Sequence, residues 1–194
     1  MSSQVNRTVF LDRDGVLIEE VHLLTRPEQI RVLPGVAEAL QKLKTAGFYL
    51  IVVSNQTVIS RGLATESEVK AINSHMEELL ENASLLDAIY ICPHHPNATL
   101  ASYRSNCHCR KPHPGLLLRA AEEHAINLTR SFMIGDRMTD IIAGARAGCR
   151  TILVHTGNHL APPIETAEPL DETICPDHVC ADLKAAAQWI LEVQ

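Results

Sequence analysis

The chain has 194 residues, of which 46% are apolar and 21% are charged, and its formal net charge is -6. This balance is typical of a globular protein that is large enough to bury a core without disulfide bonds. The chain has no basic run and only 4% aromatic residues, which argues against a nucleic-acid partner. No apolar stretch approaches the roughly 18 residues of a membrane span, and the polar segment from Met1 to Thr8 lacks an apolar signal region. We therefore expect a cytoplasmic protein with reduced cysteines.

Short apolar runs predict the strands of a parallel sheet, because strands buried on both faces carry little polar alternation. The runs are Val9 to Leu11, Phe48 to Val53, Leu86 to Ile91, Phe132 to Ile134 and Thr151 to Val154, with a last short strand or turn from Val179. Predicted helices alternate with them: Val36 to Ala46, a helix capped by Thr65 and ending at about Ala83, Pro114 to His124, Thr139 to Ala147, and Leu183 to Val193.

This alternation predicts an α/β fold with a doubly wound, Rossmann-like parallel sheet that carries helices on both faces. The Pro-rich residues 157–177 are predicted to form a loop. No composition shift marks a boundary inside the chain, so residues 1–194 are predicted to form a single domain.

Polar residues follow four of the predicted elements and are expected to converge, because ligands bind at the carboxyl ends of parallel strands. They are Asp12 with Asp14, Ser54 with Asn55, Arg110 with Lys111, and Asp136 with Asp140. Phosphoryl transfer needs an in-line nucleophile, charge neutralisation and a proton donor for the leaving oxygen. Asp12 is predicted to be the nucleophile and Asp14 the general acid and base.

Two carboxylates beside a dianionic phosphate predict a hard cation at the same place, and Mg²⁺ prefers oxygen ligands. We expect Asp12 and Asp136 to bind it through their side chains and Asp14 through its backbone carbonyl. The phosphate itself is predicted to contact a cation and hydrogen-bond donors. These substrate-side residues are Ser54, Asn55, Gln56 and Lys111.

Four segments in this order resemble the four motifs of the haloacid dehalogenase-type phosphatases. The segments are Phe10-Leu11-Asp12-Arg13-Asp14-Gly15, Val52-Val53-Ser54-Asn55-Gln56, Arg110-Lys111-Pro112 and Ile134-Gly135-Asp136-Arg137-Met138-Thr139-Asp140. The resemblance implies the roles given above to Asp12, Asp14, Ser54, Lys111 and Asp136. Val16 departs from the pattern, since the family usually has Thr there. The alternative to an enzyme is an inactive, zinc-bearing binding module on the same fold.

A Cys- and His-rich loop precedes the third motif and predicts a structural zinc site. Four residues within eighteen positions supply soft or borderline ligands, which suits a closed tetrahedral Zn²⁺ site. The predicted ligands are Cys92, His94, Cys107 and Cys109, with His95 and His108 as spare candidates. The alternative is a set of free thiols in a polar loop. Cys175, His178 and Cys180 are interpreted as structural, because no fourth ligand lies near them in the sequence.

Segments between the motifs are too short for a separate cap domain, so the site is expected to be open. The zinc loop resembles that of both the heptose bisphosphate phosphatases and the histidinol phosphatases of the family, and the segment Val58-Ile59-Ser60-Arg61-Gly62 resembles the heptose enzymes more closely. That resemblance implies a small phosphorylated sugar as the substrate, whose second phosphate Arg61 and Arg110 would hold. It also implies a role in lipopolysaccharide precursor synthesis. Arg61 as a plain surface arginine is the alternative, the loop from Glu19 to Gln29 departs from the heptose pattern, and a monomer is expected.

Overall fold

Six parallel strands form one sheet at the centre of the protein, in a computed structural model that describes residues 6–80, 85–160, 170–171 and 173–194. Along the sheet the strands lie in the order β3-β2-β1-β4-β5-β6. Their bounds are β1 Thr8–Leu11, β2 Tyr49–Asn55, β3 Ala88–Cys92, β4 Phe132–Gly135, β5 Arg150–Val154 and β6 His178–Cys180. The strand order changes direction beside β1, which places the crevice between the carboxyl ends of β1 and its neighbours.

The described residues also form six α-helices, of which the last follows β6, and three single-turn 3₁₀ helices in the loops. The α-helices are α1 Val36–Thr45, α2 Thr57–Ser60, α3 Glu66–Leu79, α4 Gly115–Glu123, α5 Met138–Ala147 and α6 Leu183–Val193. The 3₁₀ helices are Pro27–Gln29, Ala101–Tyr103 and Leu128–Arg130. Thr65 caps α3, since its hydroxyl accepts from the backbone N–H of Glu68 and the Glu68 carboxylate bonds back to it.

Side chains of β1 alternate between two hydrophobic cores, one on each face of the sheet. Val9 and Leu11 belong to the core that α1, α3 and α6 cover, whereas Phe10 belongs to the core that α4 and α5 cover. All three side chains are fully buried. Because successive strand residues point to opposite faces, the two cores fix the register of β1 and the position at which Asp12 leaves the sheet.

The predicted doubly wound sheet is confirmed, with all six strands and the five longer helices. The helix predicted from Pro114 to His124 is observed as α4, one residue shorter at each end. The helix capped by Thr65 is observed to Leu79, and its predicted end at about Ala83 lies outside the described residues. Sequence patterns missed α2, because four residues are too few to show a helical period. Parts of the predicted loop 157–177, residues 161–169 and 172, also lie outside the described chain.

The crevice stays open, because the described residues between β1 and β2 hold a 3₁₀ turn and α1, and those between β2 and β3 hold α2 and α3, with no further element in either described stretch. The predicted absence of a cap insertion agrees with this architecture. Within the described ranges, no helix is long and apolar enough to cross a membrane.

Candidate active site

Three buried carboxylates meet at the carboxyl ends of β1 and β4. Asp12 follows β1, and its backbone N–H donates to the carbonyl of Ile134 at 2.9 Å, which keeps the ends of the two strands in register. Asp136 follows β4, and Asp140 lies in the first turn of α5. One carboxylate oxygen from each of the three Asp residues lies within 4.8 Å of the others. The crevice therefore concentrates negative charge where a hard cation would bind.

Burial and mutual repulsion shift the pKa values of this cluster. Burial, followed by the charge of Asp12, raises the pKa of Asp136 to about 6. Burial also raises the pKa of Asp140 to about 7, although the Lys111 ammonium acts in the opposite direction. The Asp136 Oδ1 atom is buried and has no hydrogen-bond partner within the described part of the chain. Three carboxylates facing one ammonium, with an unpartnered oxygen among them, fit a divalent oxygen-liganded cation such as Mg²⁺.

Lys111 is the cation of the cluster, and its side chain is only 2% exposed. Its Nζ lies 3.0 Å from Asp12 Oδ1 and 2.6 Å from Asp140 Oδ1, and it donates to the carbonyl of Val53 at 2.8 Å. Burial acts to lower the pKa of Lys111, but the two carboxylates outweigh burial and raise the pKa. The ammonium is therefore charged, and it separates the nucleophile candidate Asp12 from the buried Asp140.

Asn55 holds the backbone of Lys111 in place. Its side-chain Nδ2 donates to the Lys111 carbonyl at 3.1 Å, and its Oδ1 accepts from the Lys111 backbone N–H at 3.1 Å. The peptide bond from Lys111 to Pro112 is cis. The sequence predicted that Asn55 donates to a phosphate, and one amide hydrogen is left for that role. The two-way bond to Lys111 was not foreseen.

Asp14 lies on the rim of the crevice and is tied to a buried arginine. The guanidinium of Arg13 donates to both Asp14 oxygens, at 2.9 to 3.2 Å, and also to Asn73 Oδ1 on α3 and Gln56 Oε1, both at 2.9 Å. Gln56 Nε2 in turn donates to Asp14 Oδ2 at 2.9 Å and to the Ser54 hydroxyl at 3.0 Å. These hydrogen bonds fix the orientation of the Asp14 carboxylate, which the sequence analysis predicted to transfer protons.

The turn that follows Asp14 depends on Gly15. Its φ is +77°, a left-handed conformation that favours glycine. A Cβ at Gly15 would lie 2.4 Å from Asp136 Oδ2, so a side chain would also collide with the carboxylate cluster. Val16, the departure from the family pattern, is fully buried and packs in the core that α1, α3 and α6 cover.

The walls of the crevice come from residues 20–24 on one side and from two arginines on the other. Arg61 is exposed and Arg110 is buried. Burial lowers the pKa of Arg110, and the nearby guanidinium of Arg61 acts in the same direction. Across the crevice, partial burial and the charge of Asp14 raise the pKa of Glu20. Two adjacent guanidinium groups near the carboxylate cluster are suited to an anion that reaches beyond the reacting phosphate.

Cys92, His94, Cys107 and Cys109 gather into a cluster whose ligand atoms lie within 4.8 Å of one another. The Cys109 Sγ is 3.1 Å from the Cys92 Sγ, 3.0 Å from the Cys107 Sγ and 3.6 Å from His94 Nδ1. Contact with the Cys92 thiol favours the Cys109 thiolate and lowers its pKa to about 5. Three sulfurs and one imidazole with these separations can hold a tetrahedral metal ion.

This cysteine cluster adjoins the crevice through Arg110. The Arg110 side chain donates to the carbonyl of His94 at 3.1 Å, and Lys111 follows it directly. The loop that carries the cysteines also passes close to Gly115, the first residue of α4. A Cβ added to Gly115 would lie 2.2 Å from the carbonyl of His108. His95 lines the crevice, and His108 packs edge-on against His113. Neither belongs to the gathered metal-ligand group.

The C-terminal set of Cys175, His178 and Cys180 does not gather in this way. The imidazole of His178 stacks on Trp189 with ring centroids 4.5 Å apart, and the Cys180 Sγ donates to the carbonyl of Asp182. Within the described residues, these three side chains form no group suited to a metal ion. The interpretation of His178 and Cys180 as structural residues agrees with these contacts, whereas Cys175 is exposed.

Four crevice residues had no role of their own in the sequence analysis. Arg13 and Asp140 belong to the quoted motifs, so the sequence did contain signals for both. Arg13 is a basic residue between two aspartates, and Asp140 is a second aspartate four positions after Asp136. Glu20 and Asn158 lie in loops without a motif, and only the structure brings them near Asp14 and Asp136.

Comparisons with known proteins agree with this geometry. A family model described as HAD-hydrolase-like, for haloacid dehalogenase, matches residues 108–186. D-glycero-beta-D-manno-heptose-1,7-bisphosphate 7-phosphatase of Escherichia coli K12 is 38% identical over 161 residues, which cover 82% of this chain and 84% of the relative. D-glycero-D-manno-heptose-1,7-bisphosphate 7-phosphatase of Thermosynechococcus vestitus is 38% identical over 190 residues, which cover 94% of each protein.

A solved structure shows the same similarity in three dimensions. It is the D,D-heptose 1,7-bisphosphate phosphatase of B. bronchiseptica, complexed with magnesium and phosphate. The TM-score is 0.80 at 32% sequence identity, and the match covers 97% of this chain and 99% of that one. The similarity therefore extends over the whole sheet and its loops, beyond the residues that the family model matches.

Proposed function

Because the chain belongs to the haloacid dehalogenase-type phosphatases, we propose that it removes the 7-phosphate of D-glycero-D-manno-heptose 1,7-bisphosphate. The observation that carries the substrate assignment is the pair Arg61 and Arg110, which places positive charge near the carboxylate cluster for a second phosphate. The names of the relatives support the same substrate. In this proposal the sugar spans the crevice between the reacting phosphate and the two arginines.

Asp12 is proposed as the nucleophile that attacks phosphorus and forms an aspartyl-phosphate. Its Oδ1 is held by Lys111 and by the backbone N–H of Arg13 at 2.7 Å, which leaves Oδ2 for the attack. Asp14 donates a proton to the leaving sugar oxygen and then accepts one from the water that cleaves the intermediate. Arg13 and Gln56 hold Asp14 for both steps.

A Mg²⁺ ion bound by Asp12, Asp136 and the backbone carbonyl of Asp14 would neutralise charge on the phosphate oxygens. The buried, unpartnered Oδ1 of Asp136 supports this assignment, as does the magnesium in the similar B. bronchiseptica phosphatase. On the protein side, Lys111 supplies a fixed positive charge, and the Ser54 hydroxyl donates to a phosphate oxygen, with Asn55 and Gln56 beside it.

A histidinol-phosphate phosphatase is the second candidate, and a variant of Arg61 tests the second-phosphate contact on which the heptose assignment rests. With heptose 1,7-bisphosphate, Arg61→Ala is expected to raise KM about 10- to 100-fold, because a charge-assisted bidentate contact contributes roughly 1.5–3 kcal/mol. With heptose 7-phosphate, which lacks the second phosphate, the same variant is expected to match the parent. Phosphate release gives kcat and KM for each substrate.

Arg119→Ala is the matched control for this experiment, since Arg119 is an exposed arginine on α4 that pairs with Glu123. It should leave the kinetics on both sugars unchanged. An equal rise in KM for Arg61→Ala with both sugars would contradict a contact between Arg61 and the second phosphate. A parent with a large kcat/KM preference for histidinol phosphate would contradict the heptose assignment itself.

The cysteine cluster is proposed to hold a structural Zn²⁺ that keeps Arg110 and Lys111 at the crevice. Cys109→Ser is expected to lose the zinc and to lower the midpoint of thermal unfolding by about 5–10 °C, since the ion contributes to folding. The measurements are zinc content by elemental analysis and a thermal unfolding curve. Cys175→Ser, at an exposed cysteine outside the cluster, should retain both values. Full zinc content in Cys109→Ser would contradict the ligand assignment.

The proposal also covers the metabolic role, the location and the oligomeric state of the protein. A phosphatase of heptose bisphosphate would serve the synthesis of nucleotide-activated heptose for lipopolysaccharide, and we propose that it acts as a cytoplasmic monomer. The alternative of an inactive binding module is set aside, because Asp12, Asp14 and Lys111, to which the proposal assigns the chemistry, all line the crevice.

A further inference from the structure

The segment that follows β5 reaches over the carboxylate cluster and contacts Asp136 directly. The backbone N–H of Asn158 donates to Asp136 Oδ2 at 2.6 Å. The other oxygen, Oδ1, is buried without a hydrogen-bond partner among the described residues. The two oxygens of one carboxylate therefore have different surroundings: a backbone donor holds one, and the other is left for a cation.

Steric contacts hold the same carboxylate between two glycines. A Cβ at Gly157 would lie 2.2 Å from Asp136 Oδ2 and 2.8 Å from the Cα of Gly15. A Cβ at Gly15 would approach Asp136 Oδ2 from its own side, at 2.4 Å. The backbone of Gly157 does not have a positive φ, so alanine there would meet a steric conflict without backbone strain. The close packing leaves the carboxylate little freedom to rotate.

A hydroxyl connects this segment to the turn after the nucleophile strand. Thr156 Oγ1 donates to the carbonyl of Gly15 at 2.5 Å. The backbone N–H of Gly15 itself donates to the carbonyl of Ile18, which closes the turn that carries Asp14. Thr156, Gly157 and Asn158 thus contact the predicted Mg²⁺ ligand Asp136 and the turn that follows the nucleophile, although they lie far from both in the sequence.

We propose that Thr156, Gly157 and Asn158 form a positioning clamp, which orients Asp136 so that Oδ1 faces the bound cation. The inference rests on the proposed Mg²⁺ site and deepens it. The clamp residues touch neither the phosphate nor the reacting atoms, and they act through Asp136 and Gly15. Residues that orient a metal ligand in this way commonly change metal affinity about 10- to 100-fold when they are altered.

The test measures cation affinity in the absence of substrate. Zinc-loaded protein is titrated with Mn²⁺, free Mn²⁺ is followed by electron paramagnetic resonance, and Mg²⁺ is then added as a competitor. Gly157→Ala is expected to raise the dissociation constants of both ions at least about tenfold, because the added methyl displaces the Asp136 carboxylate. Thr156→Val is expected to weaken binding in the same direction, whereas Thr156→Ser, which keeps the hydroxyl, should bind as the parent does.

The outcomes separate the clamp from the proposed function. A parent that binds neither Mn²⁺ nor Mg²⁺ at the crevice would overturn the Mg²⁺ site and the proposed mechanism. A parent that binds both ions, together with a Gly157→Ala variant of unchanged affinity, would overturn the clamp alone. Should Gly157→Ala fail to fold, the comparison of Thr156→Val with Thr156→Ser decides: equal affinities in that pair would contradict the clamp.

Discussion

Replacing Asp12 by asparagine is expected to lower kcat for phosphate release by at least about 10⁴-fold, since removal of a covalent nucleophile removes the whole two-step pathway. Asparagine has nearly the same shape as aspartate, so Asp12→Asn should fold like the parent. The Lys111 ammonium keeps its contact with Asp140 at 2.6 Å, so the substitution leaves no unpaired buried cation. Steady-state kinetics with saturating substrate and Mg²⁺ measure the effect.

Asp87→Asn is the matched control, because Asp87 precedes β3 at the opposite end of the sheet and pairs with Lys44 at 2.6 Å. This variant should retain the parental kcat, and both variants should unfold near the parental temperature. Parental activity in Asp12→Asn would remove Asp12 from the mechanism. Incubation with substrate adds a second readout, since an acid-stable trace of phosphorylated protein is expected from the parent and not from Asp12→Asn.

Replacing Lys111 by methionine is expected to reduce both activity and stability. The ammonium is buried between Asp12 and Asp140, at 3.0 and 2.6 Å, and methionine retains most of its volume without the charge. Breaking a buried ion pair by removing one partner costs about 3–5 kcal/mol in the free energy of unfolding. The loss of a fixed charge beside the phosphate is expected to lower kcat about 10²- to 10³-fold.

The stability loss of Lys111→Met should depend on pH in a defined direction. In the parent, Lys111 partly offsets the effect of burial, which raises the pKa of Asp140 to about 7. Without Lys111, the pKa of Asp140 rises further above its unfolded value. A carboxyl whose folded pKa is raised binds more protons in the folded state, so stability falls as the pH rises toward the folded pKa. The difference between variant and parent is therefore largest above about pH 7 and smaller near about pH 5.5.

Urea unfolding at several pH values, in buffer without Mg²⁺, measures this dependence. Lys44→Met is the control, because the ion pair of Lys44 with Asp87 is partly exposed, and such pairs contribute about 0–1 kcal/mol. A stability gap that widens as the pH falls would contradict the assignment of Lys111 as the partner of the buried carboxylates.

Most of the sheet was predictable because its strands are buried on both faces. A short continuous apolar run such as Val9 to Leu11 indicates a buried strand of a parallel sheet when predicted helices lie between such runs. Because ligands bind at the carboxyl ends of parallel strands, the sequence also predicted that Asp12, Ser54, Lys111 and Asp136 lie at the same edge of the sheet. The cysteine cluster was predictable because its four residues lie close together in the sequence, at the end of β3 and in the loop after it.

Side-chain partners across long sequence distances were not predictable. Arg13 reaches Asn73 on α3 only because that helix packs on the face of the sheet below the turn, and no local pattern reports the contact. The bond between Asn55 and Lys111 joins residues that are 56 positions apart, and the contact of Asn158 with Asp136 depends on where the loop after β5 crosses the crevice. Such contacts are set by packing between elements, whereas periodicity reports only the elements themselves.

The three groups on which the proposed chemistry depends lie at the ends of neighbouring strands of the sheet. The proposed nucleophile Asp12 follows β1, the proposed phosphate-binding Ser54 lies near the end of β2, and the proposed metal ligand Asp136 follows β4. These three strands are adjacent in the sheet. Outer strands β3 and β6 contribute none of these three groups. Strand β3 ends in Cys92 of the proposed zinc cluster, whereas β6 carries no residue to which a role in the chemistry or in that cluster is assigned. Length changes at the β6 edge can thus accumulate during evolution without disturbing the spacing of the reacting groups.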